Sequence, residues 1–387
     1  MKILYISTSP LEYSASSNMR NIALLKGLTE NGHNICTLTP EAQKDSSLYD
    51  DKICNVDITK KYFVDLGKIH SSLTIKKNNN KSLKNKIKKI LYNFLKKIKI
   101  YDFRSSLANK KIIIDEQFDI IISSSDPKSS HLMAKNIIKN NPNITKKWIQ
   151  YWGDPFYDDI NDKRGIFKIF VKKEENKLIE SCDKVVYVSP FTLKKQQELF
   201  PKYKNKMFFL PIPYNQELIY DKTNNKKITL GYFGDYYKRN RNIIPLYNFV
   251  KNDKDLKLLI CGKSDIDLNE ENNIIIKERQ PIEKIREFEK KTDILICICN
   301  NSGTQIPGKV YHYSATNKPI LIILDGENQE ELKQYFNKFN RYILCYNNED
   351  SIKEGVKKIS SNTMNTPCKK LSSKNIAKEF INIINEK

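Results

Sequence analysis

The chain has 387 residues, of which 39% are hydrophobic and 10% aromatic, so the composition excludes a disordered protein and predicts two or three globular domains. The formal net charge of +22 predicts an anionic partner, namely nucleic acid, anionic lipid or a phosphate-bearing substrate. An AT-rich codon bias, indicated by abundant Lys, Asn and Ile, contributes part of this charge. No apolar run reaches the roughly 18–20 residues of a membrane-spanning helix, and residues 1–10 are too weakly basic for a signal peptide, so we expect a cytoplasmic protein with reduced cysteines.

The N-terminus is predicted to form a strand, a helix and a second strand. The apolar patterns place the first strand at Lys2 to Ser7, the helix at about Asn18 to Glu30 and the next strand at Asn34 to Leu38. This order is typical of doubly wound α/β domains. The loop before the helix carries hydroxyl groups that predict either a helix cap or an anion-binding loop. These hydroxyls belong to Ser14, Ser16 and Ser17.

Residues 76–104 combine apolar residues at helical spacing with many lysines, which predicts a basic amphipathic helix. One interpretation is a segment that lies on an anionic membrane surface. The alternatives are an ordinary surface helix that packs on its own domain and, less favoured, a nucleic-acid-binding helix, because the aromatic residues are not interleaved as a stacking platform. The residues expected to contact the membrane are Lys84, Lys88, Lys89, Phe94, Lys96 and Lys97.

Two further strands are predicted in the first half of the chain, at Phe118 to Ser123 and at Lys147 to Trp152. Each is followed by a polar loop with an Asp-Pro pair, at Asp126 and at Asp154. Asp154 is interpreted either as a carboxylate that orients or deprotonates a hydroxyl group or as the first residue of a turn. The acidic pair at 158–159 is better explained as the start of a helix than as a metal site.

The second half of the chain repeats the α/β pattern after a Pro-containing stretch, residues 211–226, that is typical of a linker. A strand predicted from residue 228 ends in a Gly-x-x-Gly turn at Gly234, where backbone could approach a phosphate. Arg239 and Arg241 follow this turn, and arginine can bind a diphosphate in a bidentate manner.

A second phosphate-binding element is predicted near residue 309. Two apolar strands, 294–299 and 320–324, flank about three turns of predicted helix that begin near Pro307 and end at Asn317. Lys309 falls in the first turn of this helix, where the helix dipole and the ammonium group would both favour an anion.

This segment resembles the donor-binding segment of GT-B glycosyltransferases, especially the bacterial family 4 type. The matching residues are Pro307, Lys309, Tyr313, Ala315, Lys318 and Pro319. His312 stands where that family usually has a glutamate that holds the nucleotide ribose, and Thr304 lies near the place of a second glutamate. His312 either contacts the ribose or diphosphate or packs as an ordinary helix histidine.

The resemblance implies an α/β GT-B fold, in which two Rossmann-like doubly wound domains face each other across a cleft. The expected organisation is an acceptor-binding domain (1–210, with Ser14, Ser16, Ser17 and Asp126 in its acceptor-side loops), a linker (211–226), a nucleotide-sugar-binding domain (227–370) and a C-terminal helix (371–387) that packs back toward the first domain. Asp154 is the candidate catalytic residue. The donor-binding candidates are Gly234, Arg239, Arg241, Lys309, His312 and Thr304.

The implied activity is transfer of a sugar from a nucleotide-diphosphate sugar to a lipid-linked or polysaccharide acceptor at the inner face of the plasma membrane, in bacterial capsule, O-antigen or other surface-glycan synthesis. Family similarity implies retention of anomeric configuration, with no cofactor and no metal ion. A GT-B nucleotide-sugar epimerase and a catalytically silent partner subunit are the alternatives. A nucleic-acid-binding protein is a more distant one, and no nucleic acid is expected as a partner.

Overall fold

The computed structural model describes residues 1–65, 99–160, 162, 164–359 and 365–386. It divides into two compact units. The first unit contains Met1–Asn215 together with Ser373–Lys387, and the second unit contains Gln216–Ser372.

The first unit is built on a parallel sheet of seven strands in the order β3-β2-β1-β4-β5-β6-β7. The central strands are almost continuously apolar because helices cover both faces of such a sheet. The strands are β1 (Lys2–Ile6), β2 (Asn34–Pro40), β3 (Lys60–Val64), β4 (Ile120–Ser124), β5 (Trp148–Trp152), β6 (Lys184–Tyr187) and β7 (Met207–Phe209).

The described α-helices of the first unit alternate with its strands. They are α1 (Ser16–Glu30), α2 (Ser105–Ala108), α3 (Ser129–Asn140), α4 (Lys168–Glu180), α5 (Pro190–Leu199) and α11 (Ser373–Asn385). Short 3-10 helices lie at Gly165–Phe167 and Pro201–Lys206. Helix α5 begins as its sequence indicates, because the Ser189 side chain accepts a hydrogen bond from Thr192 N–H and Pro190 occupies the first turn.

The second unit has a parallel sheet of six strands in the order β10-β9-β8-β11-β12-β13. The strands are β8 (Ile228–Phe233), β9 (Leu256–Cys261), β10 (Ile274–Lys277), β11 (Ile294–Ile298), β12 (Ile320–Leu324) and β13 (Ile343–Tyr346). The described α-helices are α6 (Ile244–Lys251), α7 (Ile282–Lys290), α8 (Lys309–Tyr313), α9 (Gln329–Asn337) and α10 (Glu349–Lys358), and a 3-10 helix lies at Lys369–Leu371.

Both sheets are doubly wound, as predicted from the sequence. In the first sheet the strand order reverses between β1 and β4, and in the second it reverses between β8 and β11. Ligands of open α/β sheets bind at such reversal points, beyond the carboxyl ends of the strands. The residues that follow these four strands are therefore the first place to look for a site in each unit.

The structure corrects two sequence predictions near residue 309 and residue 231. The predicted three-turn helix is only five residues long, Lys309–Tyr313, and its last residues are followed by turns up to β12. Gly231, the first glycine of the Gly-x-x-Gly turn, lies inside β8, where a Cβ atom would come 2.7 Å from the Thr292 side chain. Gly231 therefore serves packing within the sheet rather than a phosphate approach.

No helix within the described ranges is long and apolar enough to span a membrane.

Candidate functional site

The reversal point of the second sheet brings Gly234 and Lys309 together. A Cβ atom on Gly234 would lie 2.6 Å from Cε and 2.8 Å from Nζ of Lys309, so the lysine side chain runs directly over the backbone that follows β8. Gly262, after β9, packs so closely that a Cβ atom there would overlap the Gly234 carbonyl group. Glycine is required at Gly262 by this close approach to backbone, whereas at Gly234 a side chain would displace the end of the Lys309 side chain.

Lys309 is a cation held partly out of water. Burial lowers the pKa of Lys309 to about 8, and the nearby charge of Arg241 also lowers it, whereas the Glu289 and Asp235 carboxylates act in the opposite direction. A bound anion would stabilise the charged form of such an ammonium group, because the anion compensates for the hydration that burial removed. Helix α8 is too short to supply much dipole, so the charge of Lys309 itself is the main attraction.

Arg241 is held near this lysine by hydrogen bonds to residues that follow β8 and β11. Its Nε–H donates to Asn300 Oδ1 at 2.8 Å, and its Nη1–H donates to the Asp235 carbonyl oxygen at 3.3 Å. Asn300, directly beyond β11, also donates from Nδ2 to the Gln305 carbonyl oxygen at 2.9 Å. The guanidinium group is therefore positioned before any ligand arrives.

The structure does not bring every predicted donor residue into this cluster. Arg239 is exposed, and within the described part of the chain its guanidinium has no hydrogen-bond or ion-pair partner. Thr304 lies half-buried in the loop between β11 and α8. Lys318, a residue of the resemblance motif, is buried and donates to the carbonyl oxygens of Lys290 and Thr292, so its contacts are structural.

A buried glutamate that the sequence did not indicate faces His312. Glu289 of α7 is fully buried; its Oε2 accepts a 2.5 Å hydrogen bond from the Tyr220 hydroxyl, and its Oε1 lies 3.5 Å from His312 Nε2. Burial raises the pKa of Glu289, but His312, the Tyr220 hydroxyl and the Lys309 charge outweigh burial and lower it. His312 thus lies beside a buried carboxylate, and its contact with a ribose or diphosphate stays a prediction.

The first unit has its own polar cluster at the ends of β4 and β5. The Lys128 ammonium forms an ion pair with Asp126 and lies 3.7 Å from Asp159 Oδ2. Asp154 belongs to the same group: burial, followed by the neighbouring Asp126 charge, raises the pKa of Asp154 to about 7, although Lys128 and Arg20 pull it down. A carboxyl group that titrates near neutral pH is suited to proton transfer.

Arg20 of α1 closes the other side of this cluster. Its guanidinium donates to the Ser125 carbonyl oxygen and to Ser124 Oγ, and it lies 5.1 Å from the centre of the Tyr151 ring. A Cβ atom on Gly153 would overlap this guanidinium, so any side chain directly before Asp154 would displace Arg20 from its present contacts. The Asp154 loop is therefore shaped by a residue far away in the sequence.

The serine loop does not cap α1. Helix α1 starts at Ser16, its N-cap residue is Ala15, and no side chain makes the capping hydrogen bond. Ser14 and Ser16 are exposed and Ser17 is half-buried. The interpretation of these hydroxyls as a helix cap is wrong, and the interpretation as an anion-binding loop stays a prediction.

Two other sequence predictions concern a membrane and a metal. The six expected membrane residues, Lys84, Lys88, Lys89, Phe94, Lys96 and Lys97, lie outside the described residues, as does most of segment 76–104. Among the described residues, no group of three or more His, Cys, Asp or Glu side chains is placed to hold a metal ion.

The comparisons with known proteins identify the fold. No family model and no curated protein sequence matches the chain, but solved structures do. The chain is similar to a sucrose-phosphate synthase from Thermosynechococcus elongatus, with 12% identity, 99% of this chain and 98% of that chain covered, and a TM-score of 0.59. It is also similar to an alpha-glucosyltransferase solved with UDP and a 13-mer DNA, with 12% identity, full coverage of both chains and a TM-score of 0.58.

A third similar structure is a protein from Listeria monocytogenes described as a UDP-N-acetylglucosamine 2-epimerase. It shows 10% identity over 99% of this chain and 95% of that chain, with a TM-score of 0.50. Together with the two doubly wound sheets, these similarities show that the chain has the GT-B fold. The predicted fold class is confirmed.

Several residues of the two clusters escaped the sequence analysis. Local sequence marked at most one of them, because each acts through a contact with a distant segment. They are Arg20, Lys128, Glu289 and Asn300. Only Asn300 carried a usable signal, since a polar residue directly after an apolar strand is a frequent ligand position in parallel sheets.

Proposed function

We propose that this protein is a glycosyltransferase that moves a sugar from a nucleotide-diphosphate sugar to a membrane-associated acceptor, either lipid-linked or polysaccharide. The setting is bacterial capsule, O-antigen or other surface-glycan synthesis at the inner face of the plasma membrane. The reaction retains anomeric configuration and needs no metal ion. The observation that carries the proposal is the placement of Lys309 over Gly234 at the reversal point of the second sheet.

The geometry supports a diphosphate as the ligand of this cluster. Lys309 and Arg241 are neighbouring cations, and the backbone beneath them is open because Gly234 has no side chain. Negative charge accumulates on the departing nucleoside diphosphate as the glycosidic bond breaks, and fixed cations at that position lower the barrier. His312, held by Glu289, would contact the ribose or the diphosphate from the same helix as Lys309.

In the first unit, Asp154 is the proposed catalytic residue. Its carboxyl group would orient or deprotonate the acceptor hydroxyl, and Lys128 and Arg20 would hold its loop in place. A pKa of about 7 leaves a substantial fraction of Asp154 as the carboxylate at neutral pH.

The test is a thermal-shift screen without metal against UDP, GDP, CDP, ADP, TDP and CMP. One nucleoside diphosphate is expected to stabilise the protein selectively, and the shift is expected to disappear in Lys309→Ala and in Arg241→Ala. Lys338→Ala, which removes an exposed lysine of the same unit, should keep the full shift. A well-folded protein that responds to none of the six would contradict the active-transferase proposal and favour a silent partner subunit.

A nucleotide-sugar epimerase is the second candidate, because one of the similar structures is described as an epimerase. One assay distinguishes the two proposals. Its substrate is a nucleotide sugar that carries the base identified by the thermal-shift screen. An epimerase converts the donor sugar without acceptor, whereas a transferase releases nucleoside diphosphate only slowly until an acceptor is added.

A further inference from the structure

The first unit exposes a compact apolar surface around the start of α4. The side chains of Ile166, Phe167, Ile169 and Phe170 are 86%, 39%, 57% and 50% exposed. They lie within five consecutive residues, at the 3-10 helix Gly165–Phe167 and the first turn of α4. Elsewhere α4 buries its apolar side chains against the sheet, so this cluster is not part of its core-facing stripe.

Lysines are the charged residues of this apolar surface. The sequence from Gly165 to Lys173 contains Lys168, Lys172 and Lys173 and no acidic residue. Lys168 and Lys172 place their ammonium groups 5.7 Å and 5.5 Å from the centre of the Tyr157 ring. The surface therefore presents large apolar side chains among fixed positive charges.

Three acidic residues near this surface are turned inward. Glu175 is fully buried and accepts hydrogen bonds from the Phe156 and Tyr157 N–H groups at 3.0 Å and 2.8 Å. Glu174 accepts from the Tyr101 hydroxyl at 3.2 Å, and Asp162 forms an ion pair with Arg164 at 2.8 Å with only 3% of its side chain exposed. Lysines are thus the charged residues between 165 and 173, and the half-buried Asp158 interacts with one of them, Lys168.

We propose that the surface formed by Ile166, Phe167, Ile169 and Phe170, with Lys168, Lys172 and Lys173, inserts into the interface of an anionic lipid bilayer. Apolar side chains enter the boundary between headgroups and acyl chains, while lysines bind anionic headgroups. A protein partner fits less well, because lysine is depleted in protein–protein interfaces. The inference rests on the membrane part of the proposed function, names residues other than those of segment 76–104, and does not depend on the transfer chemistry.

The experiment is cosedimentation of the full chain with vesicles of phosphatidylcholine containing phosphatidylglycerol, and with vesicles of phosphatidylcholine alone. The double variant Ile166→Ser/Phe170→Ser is expected to partition about tenfold more weakly into the anionic vesicles, because two large apolar side chains no longer leave water. The triple variant Lys168→Gln/Lys172→Gln/Lys173→Gln should lose most of its preference for anionic lipid.

The matched control is Phe63→Ser/Ile113→Ser, which replaces one phenylalanine and one isoleucine that are 54% and 56% exposed elsewhere on the same unit. It should bind like the wild type. If the Ile166→Ser/Phe170→Ser variant binds anionic vesicles as well as the wild type does, the inference is overturned. If the Lys84→Gln/Lys88→Gln/Lys89→Gln variant loses vesicle binding at the same time, membrane binding is assigned to segment 76–104 instead.

Three further outcomes would also overturn the inference. A lower melting temperature of Ile166→Ser/Phe170→Ser than of the control variant would show that the surface packs against this chain itself. Conversion of a dimer to a monomer by the same variant, measured by light scattering, would show that a second copy covers it. A wild-type protein that ignores anionic vesicles would remove the membrane part of the proposed function as well, while the nucleotide screen would still decide the donor part.

Discussion

At the scale of single residues, the properties of the two clusters come from burial and from neighbouring charges. Lys309, Asp154 and Glu289 all have shifted pKa values, but the effect that determines the direction of the shift differs among them. Loss of hydration prevails for Lys309 and Asp154, so their charged forms are disfavoured. For Glu289 the cationic and hydroxyl neighbours prevail, so its charged form is favoured. These differences lead to predictions of opposite sign.

Nucleotide binding is expected to depend on the protonation of Lys309. The pKa of Lys309 is lowered to about 8, so the ammonium group is lost as the pH rises through 8. We expect the dissociation constant of the stabilising nucleoside diphosphate to increase about tenfold between pH 7 and pH 9.5, because one cation at the diphosphate is lost. Isothermal titration calorimetry across this range measures it. A constant affinity in the wild type would contradict the assignment of Lys309 as the phosphate ligand.

Asp154→Asn is expected to stabilise the protein while it removes activity. In the folded protein the pKa of Asp154 is raised from 3.8 to about 7, so the wild type loses stability as the pH rises from about 4 to 7. Asparagine avoids this cost, and we expect a gain of about 1–2 kcal/mol at pH 8 that vanishes at pH 4. Thermal denaturation at both pH values measures the difference. A loss of stability at pH 8 would mean that Lys128 requires the Asp154 charge.

Glu289→Gln should have the opposite effect. The folded-state pKa of Glu289 lies below its ordinary value of 4.5, so the carboxylate stabilises the fold above about pH 4.5 and this contribution is lost as the pH falls. Breaking the buried pairs with Tyr220 and His312 is expected to cost about 2–3 kcal/mol at pH 7. Urea denaturation at pH 7 and pH 4 measures both values, and Glu287→Gln, an exposed position on the same helix, is the control. Equal losses at both pH values would exclude the ionic contribution.

At the scale of the elements, the ends of β8 and β9 determine where the candidate donor site lies. Gly234 leaves room for Lys309, and Gly262 allows the two strand ends to approach each other. Helix α8 presents Lys309 and His312 from only five residues, and its buried residues Val310, Tyr311 and Tyr313 anchor it. Tyr311 adds a 2.9 Å contact between its hydroxyl and that of Tyr335 on α9. Packing, rather than helix length, therefore fixes this element.

A pair of glycine substitutions tests this packing. Gly262→Ala places a Cβ atom onto the Gly234 carbonyl group, so the backbone must move, and we expect a loss of about 2 kcal/mol or more together with weaker nucleotide binding. Gly308→Ala meets no atom within 4 Å and has a helical φ of −58°, so it should gain about 0.5 kcal/mol. Thermal denaturation with and without nucleotide compares them. Similar stability of the two variants would contradict the close approach of β8 and β9.

At the scale of the whole molecule, the chain returns to its first unit after completing the second. Helix α11 packs along α1, where a side chain at Gly27 would overlap Ser373 and Ala377. Lys147 Nζ donates to the Ile384 carbonyl oxygen at 3.2 Å, and Lys184 Nζ donates to the Ile383 carbonyl oxygen at 2.6 Å. These positive charges at the C-terminal end of α11 also interact favourably with its helix dipole. The last residues are thus part of the first unit's core.

Phe380→Ala is expected to destabilise the first unit alone. Phe380 is fully buried in α11, and its ring lies edge-on to Tyr151 at 5.8 Å. Removing it should cost about 3–5 kcal/mol through lost burial and a cavity. Hydrogen exchange read by mass spectrometry should show faster exchange in Met1–Asn215 and unchanged exchange in Gln216–Ser372. Equal acceleration in both units would show that they unfold together.

The sequence by itself determined the doubly wound α/β class of both sheets, the glycine turn at 234 and the cation at 309. These features depend on local hydrophobic periodicity and on residue type, which neighbours along the chain specify. The tertiary structure alone decided that Glu289 faces His312, that Arg20 shapes the Asp154 loop, and that α8 is five residues long. Contacts between segments more than twenty residues apart produce burial and charge pairing, and those two effects set the pKa values and the positions of the side chains that the proposed function uses.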